Sequence, residues 1–166
     1  MYWGGNISVC NIGDKDWSVA INDAANEYKT PGVIMEQWAY DGEDYQKWEI
    51  KSLDNGYYKI ISVQSGSALS VPSGKTSTQD VELIQEIYTG DNRQQWKITQ
   101  TQYGSYTIKP RSSEGLAMDL VMAVGDSITV GWDDTNVEQR RYVDNTKVPF
   151  CGIATTDIIF TSKLKQ

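Results

Sequence analysis

The chain has 166 residues, with 15 Lys plus Arg against 22 Asp plus Glu and a net charge of −7. An acidic surface of this kind excludes nucleic acid and anionic membrane as partners, because both require basic contacts. Histidine is absent altogether, which removes Ser-His-Asp and Cys-His nucleophilic centres, histidine-held metals and a histidine general base.

Two cysteines, Cys10 and Cys151, are too few for a four-thiolate zinc site or a disulfide framework, so no metal or cofactor is expected. The opening Met1-Tyr2-Trp3-Gly4-Gly5-Asn6 has neither a basic n-region nor an apolar h-region, and no apolar run is long enough to span a bilayer. The expectation is a cytoplasmic protein, or one released by a non-classical route, with reduced thiols and no membrane insertion. Ten Tyr and six Trp stand against two Phe. Such aromatics join a large apolar face to a polar edge, which suits half-wet surfaces.

In chain order, short runs of β-type residues alternate with Gly, Asn, Asp and Ser punctuation. Val19-Ala20-Ile21 opens the series, followed by a stretch from Asp23 to Tyr28 in which helical and strand patterns compete. A second run ends in Glu36-Gln37-Trp38, and a third begins at Trp48-Glu49-Ile50. Tyr57–Ile61, Leu69-Ser70-Val71, Val81–Ile84 running into Gln85-Glu86-Ile87, and Trp96-Lys97-Ile98 come next. Tyr106-Thr107-Ile108, Met118-Asp119-Leu120 and Ser127–Val130, leading to Trp132, follow. Arg140-Arg141-Tyr142-Val143 closes the series.

The series repeats. Gln46-Lys47-Trp48-Glu49-Ile50 returns 48 residues later as Gln94-Gln95-Trp96-Lys97-Ile98, and a degenerate copy falls 46 residues beyond at Tyr142. Trp38, Ile87 and Trp132 precede those markers by 10, 9 and 10 residues. Four strands per copy and three copies are too few for a propeller, but they close into a threefold barrel with a hairpin cap. The reading is an all-β single domain over residues 1–166, with repeats at about 5–50, 51–98 and 99–143. The tail, residues 144–166, carries the apolar stretch 150–161; it is expected to pack as a strand on the barrel or in a homodimer interface.

Two copies ending in Gln-x-Trp plus an apolar residue, with a degenerate third at Arg140-Arg141-Tyr142, resemble the ricin-B-type β-trefoil lectins over residues 5–143. Pro31-Gly32-Val33-Ile34 and the lack of disulfides are most similar to small cytoplasmic fungal agglutinins that bind galactose or N-acetylgalactosamine. The resemblance implies a β-trefoil and a non-catalytic partner for glycans, glycoproteins or glycolipids. It also implies a pocket of one acid, one aromatic platform and one amide, each from a different loop. In the third repeat these are Asp119, Trp132 and Gln139, with Asn136 in the same loop. In the first repeat Trp38 is the platform, with Glu36, Gln46 and Asn22 around it. Ala20 there replaces the acid, and Tyr45 stands at the amide position. The second repeat offers Ser70 and Ile87, with neither acid nor stacking face. Trp48 and Trp96 are expected in the barrel, with Gln46 and Gln94 bonding loop backbone.

The rival is a β-trefoil protease inhibitor presenting the loop Pro72–Thr78, with Lys75 as a basic anchor and Arg111 in a second loop. Against it, an inhibitor has no use for Trp at matched platform positions. The acidic stretch Asp41-Gly42-Glu43-Asp44 lacks the alternating ligand spacing of a calcium loop and reads as a solvated turn.

Overall fold

Trp48-Glu49-Ile50-Lys51 shows why this chain makes strands. Trp48 and Ile50 are buried, while Glu49 and Lys51 lie outward and pair with each other at 3.1 Å, an alternation of period two. In the computed structural model, residues 2–9, 17–22, 30–75, 81–100, 106–114, 120–124, 127–131, 147–148 and 150–154 are described. They hold β1 (Tyr2–Val9), β2 (Trp17–Ile21), β3 (Met35–Ala39), β4 (Trp48–Ser52), β5 (Tyr58–Ser62), β6 (Ala68–Ser70) and β7 (Val81–Glu82). The later strands are β8 (Ile84–Glu86), β9 (Trp96–Gln100), β10 (Tyr106–Pro110), β11 (Leu120–Val124), β12 (Ser127–Gly131), β13 (Lys147–Val148) and β14 (Phe150–Ala154). Single 3-10 turns at Asp44–Gln46, Asn92–Gln94 and Arg111–Ser113 are the only helical segments among the described residues. The ambiguous stretch from Asp23 to Tyr28 lies outside them.

All strand pairings are antiparallel, and their register repeats three times. Trp48 pairs with Gly5 on β1 and with Ser62 on β5. Trp96 pairs with Tyr58 on β5 and with Pro110 on β10. Phe150 pairs with Tyr106 on β10 and with Val9 on β1. Each aromatic therefore begins a strand that bridges two neighbours, and β1, β5 and β10 are each met at two positions four residues apart: Gly5 and Val9, Tyr58 and Ser62, Tyr106 and Pro110. The last of these steps returns to β1, so the barrel closes and the arrangement is the expected β-trefoil, with no long free edge at the seam.

This register corrects the third repeat. Phe150, 54 residues after Trp96, holds the position of Trp48 and Trp96; Tyr142 lies outside the described residues. The strand expected of the tail on the barrel is therefore found at residues 150–154, and the third repeat extends past 143 to include it. The Gln-x-Trp pattern missed this strand because Val148 stands where the other copies have Gln and Phe150 where they have Trp.

The core joins the barrel and the cap. Ile7, Val19, Ile21, Met35, Ile50, Ile60, Leu69, Leu83 and Ile108 pack around Trp48 and Trp96, all essentially solvent-free. Each indole N–H is satisfied by a carbonyl on its own repeat's second strand: Val19 O at 3.1 Å for Trp48 and Leu69 O at 3.2 Å for Trp96. A buried donor left unpaired would be costly, so these bonds lock barrel to cap. The hairpins of repeats one and two interlock through Met35 N to Leu83 O at 2.9 Å and Gln85 N to Val33 O at 3.0 Å.

Candidate functional site

The β2–β3 hairpin sets out the first-repeat site. Ala20 faces Glu36 across the strands, and Ser18 faces Trp38. Cross-strand partners share a face, and residues two apart on one strand do too, so Glu36 and Trp38 project on the same side above Ala20. Trp38 is 51% exposed, an unusual position for so large an apolar ring. Asn22, just past the end of β2, donates from Nδ2 to Glu36 Oε2 at 3.3 Å. Its backbone N–H is tied to Ile34 O at 3.0 Å. The structure therefore brings Asn22, Glu36 and Trp38 together.

Gln46 stands behind this face. It is fully buried, and its amide is used on backbone: Nε2 donates to Ala39 O at 2.9 Å and to Trp38 O at 3.4 Å, while Oε1 accepts from Asp41 N at 2.9 Å. Its role is to hold the loop 39–45 that follows the platform. Within that loop Gly42, at φ +86°, takes the left-handed conformation of a tight turn. Asp41 Oδ1 accepts from Glu43 N at 2.9 Å, and Oδ2 accepts from the Tyr45 hydroxyl at 2.5 Å. The Tyr45 ring leans on the core.

The second repeat reuses this frame but closes the site. Gln94 donates to Ile87 O at 2.9 Å and accepts from Thr89 N at 2.8 Å, matching Ala39 and Asp41. Ala68 pairs with Glu86 as Ser18 pairs with Trp38, so the platform position belongs to Glu86 and not, as the spacing implied, to Ile87. Arg93, in the place of Tyr45, lies across it. Its Nη1 donates to Val71 O at 2.6 Å and to Glu86 Oε2 at 3.0 Å, and its Nε lies 3.4 Å from Asp91 Oδ1. The exposed face of Tyr88 is capped by Lys59 Nζ, 4.7 Å from the ring centre. The sequence marked this repeat as lacking acid and platform, but not the arginine that fills it. The 48-residue step from Tyr45 to Arg93 was the available signal.

Residues 17–85 and 44–139 match the model of the ricin-type β-trefoil lectin domain-like family. The chain belongs to that family. Its fold is also similar to that of ThreeFoil, a designed threefold-symmetric protein: 21% identity, TM-score 0.65, covering 92% of this chain and 98% of that one. The Macrolepiota procera ricin B-like lectin, solved in complex with lactose, is 10% identical with a TM-score of 0.59, over 89% of this chain and 95% of that one. The Polyporus squamosus lectin, bound to a Neu5Ac-α2,6-Gal-β1,4-GlcNAc epitope, is 22% identical with a TM-score of 0.58. This chain is covered over 90% there but spans only 46% of that longer protein. Comparison with curated protein sequences found no match.

In this β-trefoil lectin-like domain, the third-repeat residues Asp119, Trp132, Asn136 and Gln139 lie outside the described residues. Their sequence neighbours Leu120 and Gly131 are cross-strand partners. Of the two inhibitor-type anchors, Arg111 is engaged within the domain. It donates to Gln95 Oε1 at 2.9 Å and stacks 4.7 Å over Tyr57. The Tyr57 hydroxyl donates to Glu114 Oε2 at 2.6 Å; this bond and the nearby carboxylate push the phenol above its ordinary range. Lys75 is exposed at the end of a turn closed by its N–H to Pro72 O at 3.2 Å.

Proposed function

We propose that this domain is a non-catalytic carbohydrate-binding protein that takes terminal galactose or N-acetylgalactosamine on glycoproteins and glycolipids. One observation carries the reading: Trp38 stands half exposed on the β2–β3 hairpin, on the same face as the Glu36–Asn22 pair. The C–H face of a galactose-type sugar stacks on the indole. A carboxylate accepts from two adjacent hydroxyls, and here Glu36 supplies it from across the hairpin, opposite the position where Ala20 lacks one. Asn22 adds donor and acceptor in one group. Asp119 and Trp132, with Asn136 and Gln139, form the second site of this proposal. The lactose complex of the Macrolepiota procera lectin supports the sugar class.

A shallow, wet site of this type yields about −4 kcal/mol, a millimolar affinity for single sugars. Two sites on one chain raise the avidity for clustered glycans through effective concentration. The test is a glycan array followed by titration of Trp38→Ala, Asp119→Ala and Trp132→Ala. Wild type should retain galactose-terminated glycans, and each variant should lose one site's share of binding. Wild-type chain that retains no such glycan overturns the proposal.

A further inference from the structure

We propose that the first-repeat site selects neutral over anionic glycans, and that Asp41 and Glu43 set this preference. The inference rests on the carbohydrate reading above and adds the charge class of the ligand. From Thr30 to Ile50 the chain carries five carboxylates and one cation, Lys47. Lys47 pairs with Asp44 at 3.5 Å, and Glu49 pairs with Lys51 at 3.1 Å. Asp41 and Glu43 are exposed and have no ion-pair partner among the described residues.

Asp41 is also fixed in place. Its two carboxylate oxygens accept from Glu43 N and the Tyr45 hydroxyl, at 2.9 and 2.5 Å. Its backbone N–H and the Trp38 carbonyl both bond the one Gln46 amide. The carboxylate is therefore tied into the loop that follows Trp38 rather than carried on a loose arm. Trp38 and Asp41 lie three residues apart on a loop held by one Gln46 amide, and an anionic group on a sugar stacked against Trp38 feels these carboxylates within about one Debye length, roughly 8 Å at physiological salt. Like charges at that range repel, whereas a neutral sugar is unaffected. Glu36 lies on the same face and adds to the negative field. In the second repeat the positions of Asp41 and Glu43 are Thr89 and Asp91, and Asp91 is paired with Arg93 at 3.4 Å.

The experiment compares multivalent conjugates of Gal-β1,4-GlcNAc with and without terminal α2,6-linked Neu5Ac, using the full chain bearing Asp119→Ala so that the first-repeat site is read alone. The neutral conjugate should bind at least about fivefold more tightly at 50 mM salt, with the gap narrowing at 500 mM. Glu43→Gln should shrink the gap towards twofold by strengthening the sialylated conjugate while leaving the neutral one unchanged. Equal binding of the two conjugates overturns the inference while leaving the carbohydrate reading intact. A gap that neither salt nor the substitution alters makes the preference steric and also overturns it. Binding of neither conjugate sinks the first-repeat site itself, and the charge preference with it.

Discussion

Phe150 is the cross-strand partner of Tyr106, on the seam where β14 joins β10 to β1 and closes the barrel. Asn6, Ile7, Ser8 and Val9 of β1 find their partners on β14. Deleting everything after Asp144 therefore removes one barrel wall and bares the edges of two strands, which invites edge-to-edge association. The truncated chain should be insoluble or should lose cooperative unfolding in circular dichroism melts. A soluble truncated monomer with an unchanged melting temperature would show that β14 contributes nothing to closure.

Trp48 and Trp96 occupy matched positions with matched bonds, so they should respond alike. Replacement of either by Ala should cost about 3–5 kcal/mol, the usual range for a buried aromatic truncated in a core. Phe at the same place keeps most of the packing but orphans Val19 O or Leu69 O, adding about 1 kcal/mol. Urea midpoints would reveal both steps. A midpoint unmoved by Trp96→Ala contradicts its burial.

Ser70 is buried, and its hydroxyl donates to Ala68 O at 3.1 Å while accepting from Gln94 Nε2 at 3.1 Å. Ser70→Ala should therefore destabilise by roughly 1 kcal/mol even though its repeat holds no open site. Binding of galactose-terminated glycans should stay at the wild-type level. A parallel loss of binding would place a ligand at the second repeat after all.

Trp38 and Gln46 separate recognition from scaffolding. Trp38→Ala removes a half-exposed ring and should shift stability by under about 1 kcal/mol while abolishing first-repeat binding. Gln46→Ala leaves Asp41 N and the Ala39 carbonyl without their partner. It should cost about 1–3 kcal/mol and weaken binding only through a loosened loop. Denaturation curves run beside glycan titrations would distinguish the two. A Trp38→Ala variant that binds as wild type moves the working site to Asp119 and Trp132.

The threefold plan was legible in the sequence because Gln46-x-Trp48 and Gln94-x-Trp96 do the same job twice: an amide that braces a loop and an indole that bonds back to the cap. Identical tasks in identical surroundings keep identical residues, so a 48-residue period survives. The place of Trp38 on the second hairpin strand was legible for the same reason, as an aromatic set ten residues before the marker. What the chain order could not convey was decided across strands. Phe150 fills the third barrel position with no Gln before it, and its pairing with Tyr106 and Val9 reveals the place. Ile87 looked like the second platform until the bonds of Gln94 shifted the register by one residue to Glu86, where Arg93 closes the site. Glu36 looked like a neighbour of Trp38 along the chain. Only the hairpin sets it opposite Ala20, because antiparallel pairing brings together residues sixteen apart in the chain.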